Sequence, residues 1–161
     1  MIKGIINHAN AKSEGLKMSN YRIKAAGSHS GNLSAVIDKV IQVASAKENK
    51  DVLVLVSQIN LAKDDNRIEQ IFGELMFDLL VKKRENIVGI GDVNFEVQPY
   101  SYVKNNTHRA FGRTVVVLNP STQDLDAFLQ KGNSTVDWIA VEIHLDGELD
   151  SWVQANQASD I

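Results

Sequence analysis

Apolar residues recur along this chain at two spacings, and the switches between them mark out its elements. Leu33, Val36, Ile37, Val40, Ile41 and Ala44 fall three and four apart, which predicts an amphipathic helix whose wet side carries Lys39, Lys47 and Glu48. Residues 52–56 form an unbroken apolar run, mostly β-branched. It is too short for a helix and apolar on both faces, as a central strand must be. The helical spacing returns at Ile68, Ile71, Phe72, Leu75, Met76 and Leu79. Asp64, Asp65 and Asn66 are its N-cap candidates, and Lys82, Lys83 and Arg84 fall at the negative end of its dipole.

Shorter runs complete the pattern. Residues 21–26 predict a strand closed by the polar stretch 27–32, and residues 87–90 predict another. A polar connection through Pro99 and the Asn105-Asn106 pair then leads to a strand at 114–118, which Asn119-Pro120-Ser121 stops. A short helix over 121–130, a strand over 136–145 and a terminal helix over 148–154 finish the chain. The predicted fold class is α+β: a mixed sheet with two long amphipathic helices on one face, in the order β-α-β-α-β-β, and a C-terminal α-β-α extension. Two helices on one side leave the other face to be covered by the extension or by a second subunit, so homodimerisation is expected as one solution.

Length and composition narrow this further. The 161 residues, 43% of them hydrophobic, suit one domain with one core, placed at 18–161 with a core at 21–118 and the extension at 119–161. Residues 1–17 read as a flexible leader ahead of a second methionine, so that Met1 and Met18 are alternative starts. Ile2, Ile5 and Ile6 are too few for a secretory signal, and no run is long enough to cross a bilayer. The chain as written reads as cytoplasmic, without membrane insertion, and as periplasmic if a leader has been lost. A net charge of −3, with both signs mixed along the chain, argues against nucleic acid as a partner. Cysteine is absent, which removes disulfides, thiolate metal sites and cysteine nucleophiles.

Candidate chemistry falls in four places. Residues 27–32, with Ser28, His29 and Ser30, join a strand to a helix, where free N–H groups can cradle an anion; the plainer reading is a turn capped by Ser30 or Asn32. Arg109 and Arg113, with Lys104 and His108, form a basic loop suited to a carboxylate or phosphate. Glu142 and His144 alternate along the predicted 136–145 strand and read as its solvent-facing edge rather than as an acid–base pair. Asp146, Glu148 and Asp150 lack the ligand ladder of a calcium loop and read as first-turn acids of the last helix. His8, His29, His108 and His144 are scattered without metal-ligand spacing, so no metal, cofactor or catalytic residue is assigned.

Some local sequences are similar to those of the OmpA-like domain, a family of peptidoglycan-binding modules. Gly89-Ile90-Gly91-Asp92 resembles the family's Gly-Tyr-Gly-Glu, and Asn66 followed by Ile68 resembles the opening of its second helix. Asn106-Thr107 and the run from His108 to Val115 resemble its Asn-x-Thr and Gly-Arg-Ala-x-Asn-Arg-Arg-Val signatures. The resemblance covers residues 21–118 and implies a non-catalytic binding module. The Asp and Arg that grip diaminopimelate in the family correspond here to Asn60 and Phe72, so the charge pair is missing. Arg113 is the residue of the ligand-contacting set that remains. The expectation is therefore a binding module for a protein or small anionic ligand near Arg109, Arg113 and Asn60. Two alternatives stand beside it: a small α/β enzyme acting on a phosphorylated or nucleotide-like substrate, with Asp92 or His29 as acid or base, and a homodimeric structural protein.

Overall fold

Alternation with a period of two decides which side of each strand is buried, and here it builds two cores on one sheet. The computed structural model describes residues 19–129 and 136–161; the leader expected at 1–17 lies outside them. Its strands are β1 (Asn20–Lys24), β2 (Asp51–Val56), β3 (Ile87–Ile90), β4 (Val93–Pro99), β5 (Thr114–Leu118), β6 (Asp137–Glu142) and β7 (Ser159–Asp160). They form one sheet in the order β3-β4-β2-β5-β6-β1-β7, parallel throughout except for β3 against β4. The fold is α+β with a mixed sheet.

Val52, Val54 and Val56 of β2, Val116 and Leu118 of β5 and Ile139 and Val141 of β6 point to one face. That face is covered by α1 (Val36–Ser45), entered through a 3-10 segment (Gly27–Ala35), and by α2 (Ile59–Lys63), α3 (Asn66–Phe72) and α4 (Glu74–Phe77). Leu53, Leu55, Val115, Val117, Trp138 and Ala140 point the other way, into a second core with Tyr100 and Val103 of α5 (Tyr100–Lys104), Leu125 and Phe128 of α6 (Thr122–Leu129) and Trp152 of α7 (Asp150–Asn156). The face that two helices would have left bare is thus covered by this chain's own C-terminal segment and α5.

Several details depart from the sequence expectation. The connection through Pro99 contains β4, whose Val93, Phe95 and Val97 are buried while Asn94, Glu96 and Gln98 alternate with them. Pro99 ends this strand and starts α5, a position where its missing N–H costs nothing. The single long helix expected from the stripe Ile68 to Leu79 is broken at Gly73, which has φ +81° and belongs to no helix. The break rotates the buried side, so Phe77, Leu80 and Val81 enter the core while Leu75 is 74% exposed. Of the three cap candidates, Asp65 caps α3, accepting hydrogen bonds from the Arg67 and Ile68 amides at 2.9 and 3.2 Å. Finally, β6 ends at Glu142 rather than continuing to 145.

The Gly89–Asp92 sequence, which carries part of the family resemblance, forms the β3–β4 hairpin. Gly91 and Asp92 both have positive φ, as a two-residue hairpin turn requires, and a Cβ on Gly91 would stand 2.7 Å from Ile41 Cγ2.

Candidate functional site

Parallel strands bring the segments that follow β1, β2, β4, β5 and β6 to one rim of the sheet. At that rim the chain leaving β2 turns to the α2–α4 face, while the chain leaving its neighbour β4 turns to the α5 face. Diverging connections of this kind leave a crevice beyond the carboxyl ends of the two strands, where α/β sheets generally receive ligands. A cavity of 550 Å³ occupies it, lined by Ser57, Gln58, Ile59 and Asn60 after β2 and by Pro99, Tyr100, Ser101, Lys104 and Asn105 after β4. Its volume suits a small molecule.

Tyr100 and Lys104 give the crevice a fixed wall. Tyr100 is buried and donates its hydroxyl to the Leu118 carbonyl at 2.6 Å, which ties α5 to the end of β5; its ring meets Phe128 edge-on at 5.7 Å. Burial first, and then Asp124 and Glu148, hold the phenol well above its ordinary pKa, so it acts as a donor. Lys104 Nζ reaches Asp124 Oδ1 at 3.1 Å and stands 5.6 Å from the ring centres of Tyr100 and Phe128. Burial pushes the Asp124 carboxyl up, but hydrogen bonds from the Ser121 amide, Lys104 and the Ser121 hydroxyl outweigh it and leave the group below its ordinary value. Ser57, Gln58, Asn60, Ser101 and Asn105 are largely exposed around this wall. The lining therefore contains hydroxyls, amides and one ammonium, and no carboxylate or imidazole.

A smaller cavity of 210 Å³ shares Ser57 and lies between the ends of β2 and β5, bordered by Leu61, Asp65, Asn119 and His144. His144 Nε2 is 3.6 Å from Asp65 Oδ2, and its backbone amide donates to Asn119 Oδ1 at 3.2 Å. Arg67 holds the preceding Ile143 carbonyl at 2.6 Å. His144 thus faces Asp65 rather than Glu142.

The basic loop does not assemble into one site. Lys104 belongs to the crevice. Arg113 lies at the opposite, amino end of the sheet, bonded to Glu96 at 2.8 Å and lining a 200 Å³ cavity with Asp51, Asn86 and Asn94. Arg109 is exposed; it donates to the Tyr102 carbonyl at 3.1 Å, and its guanidinium sits 4.3 Å from the centre of the Tyr102 ring. His108 meets Phe111 edge-on at 4.6 Å. Asn60 and Arg113 are consequently separated by the length of a strand, about 17–20 Å, and Phe72 is buried in the core. The backbone of Ser28, His29 and Ser30 lies in the 3-10 segment after β1; their side chains lie outside the described residues. That segment shares the rim with the crevice but is three strands away, about 14 Å. Asp92 stands at the hairpin tip at the amino end, 3.8 Å from Lys50.

The charged group that sequence reasoning missed is Arg22. It lies in β1, 4% exposed, and binds Asp160 through Nε and Nη2 at 2.7 and 2.9 Å, Asp150 at 2.5 Å and Glu142 at 3.3 Å. Glu142 is fully buried rather than solvent-facing, and also accepts from the Gly147 and Leu149 amides at 3.2 and 2.8 Å. Hydrogen bonding to Asp160 raises the Arg22 pKa, and Arg22 in turn holds Asp160 below its ordinary value. The cluster joins β1, β6, β7 and the start of α7 as a structural clamp. Among the described residues no group of His, Asp or Glu has metal-holding geometry, and no helix is long and apolar enough to cross a membrane.

No family model matches the chain, and no curated protein or solved structure is significantly similar to it.

Proposed function

We propose that this chain is a non-catalytic binding module that takes a small ligand with one anionic group in the crevice beyond β2 and β4. The observation that carries this reading is the lining: hydrogen-bonding groups and Lys104 set around the ring of Tyr100, with no acid–base pair among them. The ligand's apolar body rests against Tyr100 and Pro99, its anionic group approaches Lys104, and Asn60 and Ser101 bond its polar periphery. The reading does not draw on the OmpA-like resemblance, whose ligand set is dispersed here: Asn60 borders this crevice, Phe72 is buried in the core and Arg113 lies at the opposite end of the sheet.

Calorimetric titration with a diaminopimelate-containing muropeptide and with AMP tests the reading. At least one is expected to bind the wild type and to bind Asn60→Ala and Lys104→Ala more weakly. Binding that both variants leave unchanged would contradict it.

One observation favours an enzymatic reading, the His144 and Asp65 pair in the neighbouring cavity. That reading predicts turnover of a phosphorylated substrate which His144→Ala abolishes.

A further inference from the structure

A change of direction stands on both sides of β2. The chain leaving β2 turns to the α2–α4 face, whereas the chains leaving its two neighbours, β4 and β5, turn to the other face and continue as α5 and α6. Each divergence opens a crevice beyond the carboxyl ends of the strands. The first holds the 550 Å³ cavity already assigned to the ligand, and the second is the 210 Å³ cavity between β2 and β5. Ser57, the exposed residue that follows β2, lines both.

The smaller cavity has the walls of a ring site. Val56, Ala62, Ile68 and Leu118 line it and are buried. A dry apolar cavity of roughly 150 Å³ holds a benzene ring, so this one has room for one ring and its substituent. Two polar groups at its margin have unused capacity. Asp65 gives Oδ1 to the Arg67 and Ile68 amides, and His144 Nε2, at 3.6 Å, is too far from Oδ2 for a hydrogen bond. Asn119 gives Oδ1 to the His144 amide, and its side-chain NH2 has no partner among the described residues. An acceptor and a donor thus border one cavity, the complement of a carboxamide or an amino-substituted ring. The Asp65 carboxylate disfavours a second anionic group there, so the half of the ligand that enters is neutral.

We propose, on the basis of the crevice reading above, that one ligand spans both cavities across Ser57. Its anionic portion lies beside Lys104, one ring rests against Tyr100 and Pro99, and a neutral second ring bearing a carboxamide or amino group enters the smaller cavity. Two ring-bearing halves joined by an anionic linker describe a dinucleotide.

Calorimetry and amide titration of the full chain with NAD and with AMP test this. NAD is expected to bind roughly tenfold or more tightly than AMP. It is also expected to shift the amides of Asn119 and His144 together with those of 57–60 and 100–105, whereas AMP shifts only the latter two groups. Asn is itself a good N-cap, so Asp65→Asn keeps α3 capped but sets an NH2 where the second carboxylate oxygen stood. It is expected to weaken NAD by about tenfold and to leave AMP unchanged. Leu61→Trp, at the exposed margin of the cavity, is expected to do the same by filling it, and decides the matter should Asp65→Asn fail to fold. NAD that binds no tighter than AMP, that shifts only 57–60 and 100–105, or that both variants leave unaffected overturns the two-cavity ligand while the crevice reading stands. If NAD, AMP and the muropeptide all leave the crevice amides unmoved, the crevice reading falls and the two-cavity ligand with it.

Discussion

The crevice beyond β2 and β4 and the clamp around Arg22 are both polar, yet their polar groups are disposed in opposite ways. In the clamp a buried guanidinium meets three carboxylates, and the most buried of these, Glu142, also accepts two backbone amides. Such groups are needed at home: removing one leaves the others desolvated without a partner. In the crevice Asn60 and Ser101 are exposed, and only Tyr100 and Lys104 behind them are fixed by internal bonds. The lesson is that charge density alone does not single out a candidate site. Among the described residues the carboxylates around Arg22 are bonded within the fold, while the crevice proposed for a ligand is lined mostly by neutral groups.

The comparison can be broken most forcefully at Arg22. Arg22→Met is expected to cost about 3–5 kcal/mol in urea denaturation, because Glu142 would stay buried without its counter-charge. A loss below about 1 kcal/mol would make the clamp incidental.

A smaller effect follows from pH. Asp160 and Asp124 are both held below their ordinary value of 3.8, so the stability they contribute is complete above that value and is lost as pH falls through their lower folded-state pKa values. Thermal melts below about pH 4 should therefore drop steeply, and less steeply in Asp160→Asn. An equal slope in the variant would mean that other carboxylates dominate.

Tyr100→Phe is expected to cost about 1 kcal/mol by removing the bond to the Leu118 carbonyl. The raised phenol pKa works at the other end of the scale: the folded state keeps the proton that the unfolded state releases, so stability falls as pH rises above about 10. Spectrophotometric titration of the wild type against the variant checks both. Smallest of all, Asn60→Ala and Ser101→Ala should change stability by no more than about 0.5 kcal/mol, since both side chains are exposed.

Much of the fold was legible in the sequence because its signals are local. The stripe from Leu33 to Ala44 and the run in β2 need only their own neighbours to be read. What escaped depended on competing signals. Pro99 and three polar residues disguised β4, although the alternation of Val93, Phe95 and Val97 was present. Gly73 interrupted a spacing that otherwise continued smoothly through Leu75, and its positive φ carries the following turn to a new phase.

The candidate site was harder, because it is made by topology. Among the crevice residues the family resemblance points to Asn60 alone, and Ser101, Tyr100 and Lys104 join it only through the parallel pairing of β2 with β4, a strand whose signal Pro99 masks. Arg22 and Glu142 stand 120 residues apart. The available signal was a single charge inside each of two apolar strands, Tyr21-Arg22-Ile23 and Val141-Glu142-Ile143, a combination that a buried pair explains better than a wet edge.

The most direct test of the central claim is a titration of the isotopically labelled protein with the diaminopimelate-containing muropeptide and with AMP, following every backbone amide. Binding in the crevice predicts shifts confined to residues 57–60 and 100–105, with the amides of Arg22 and Arg113 unmoved. Shifts centred on Arg109 and Arg113, or no shifts with either compound, would contradict it.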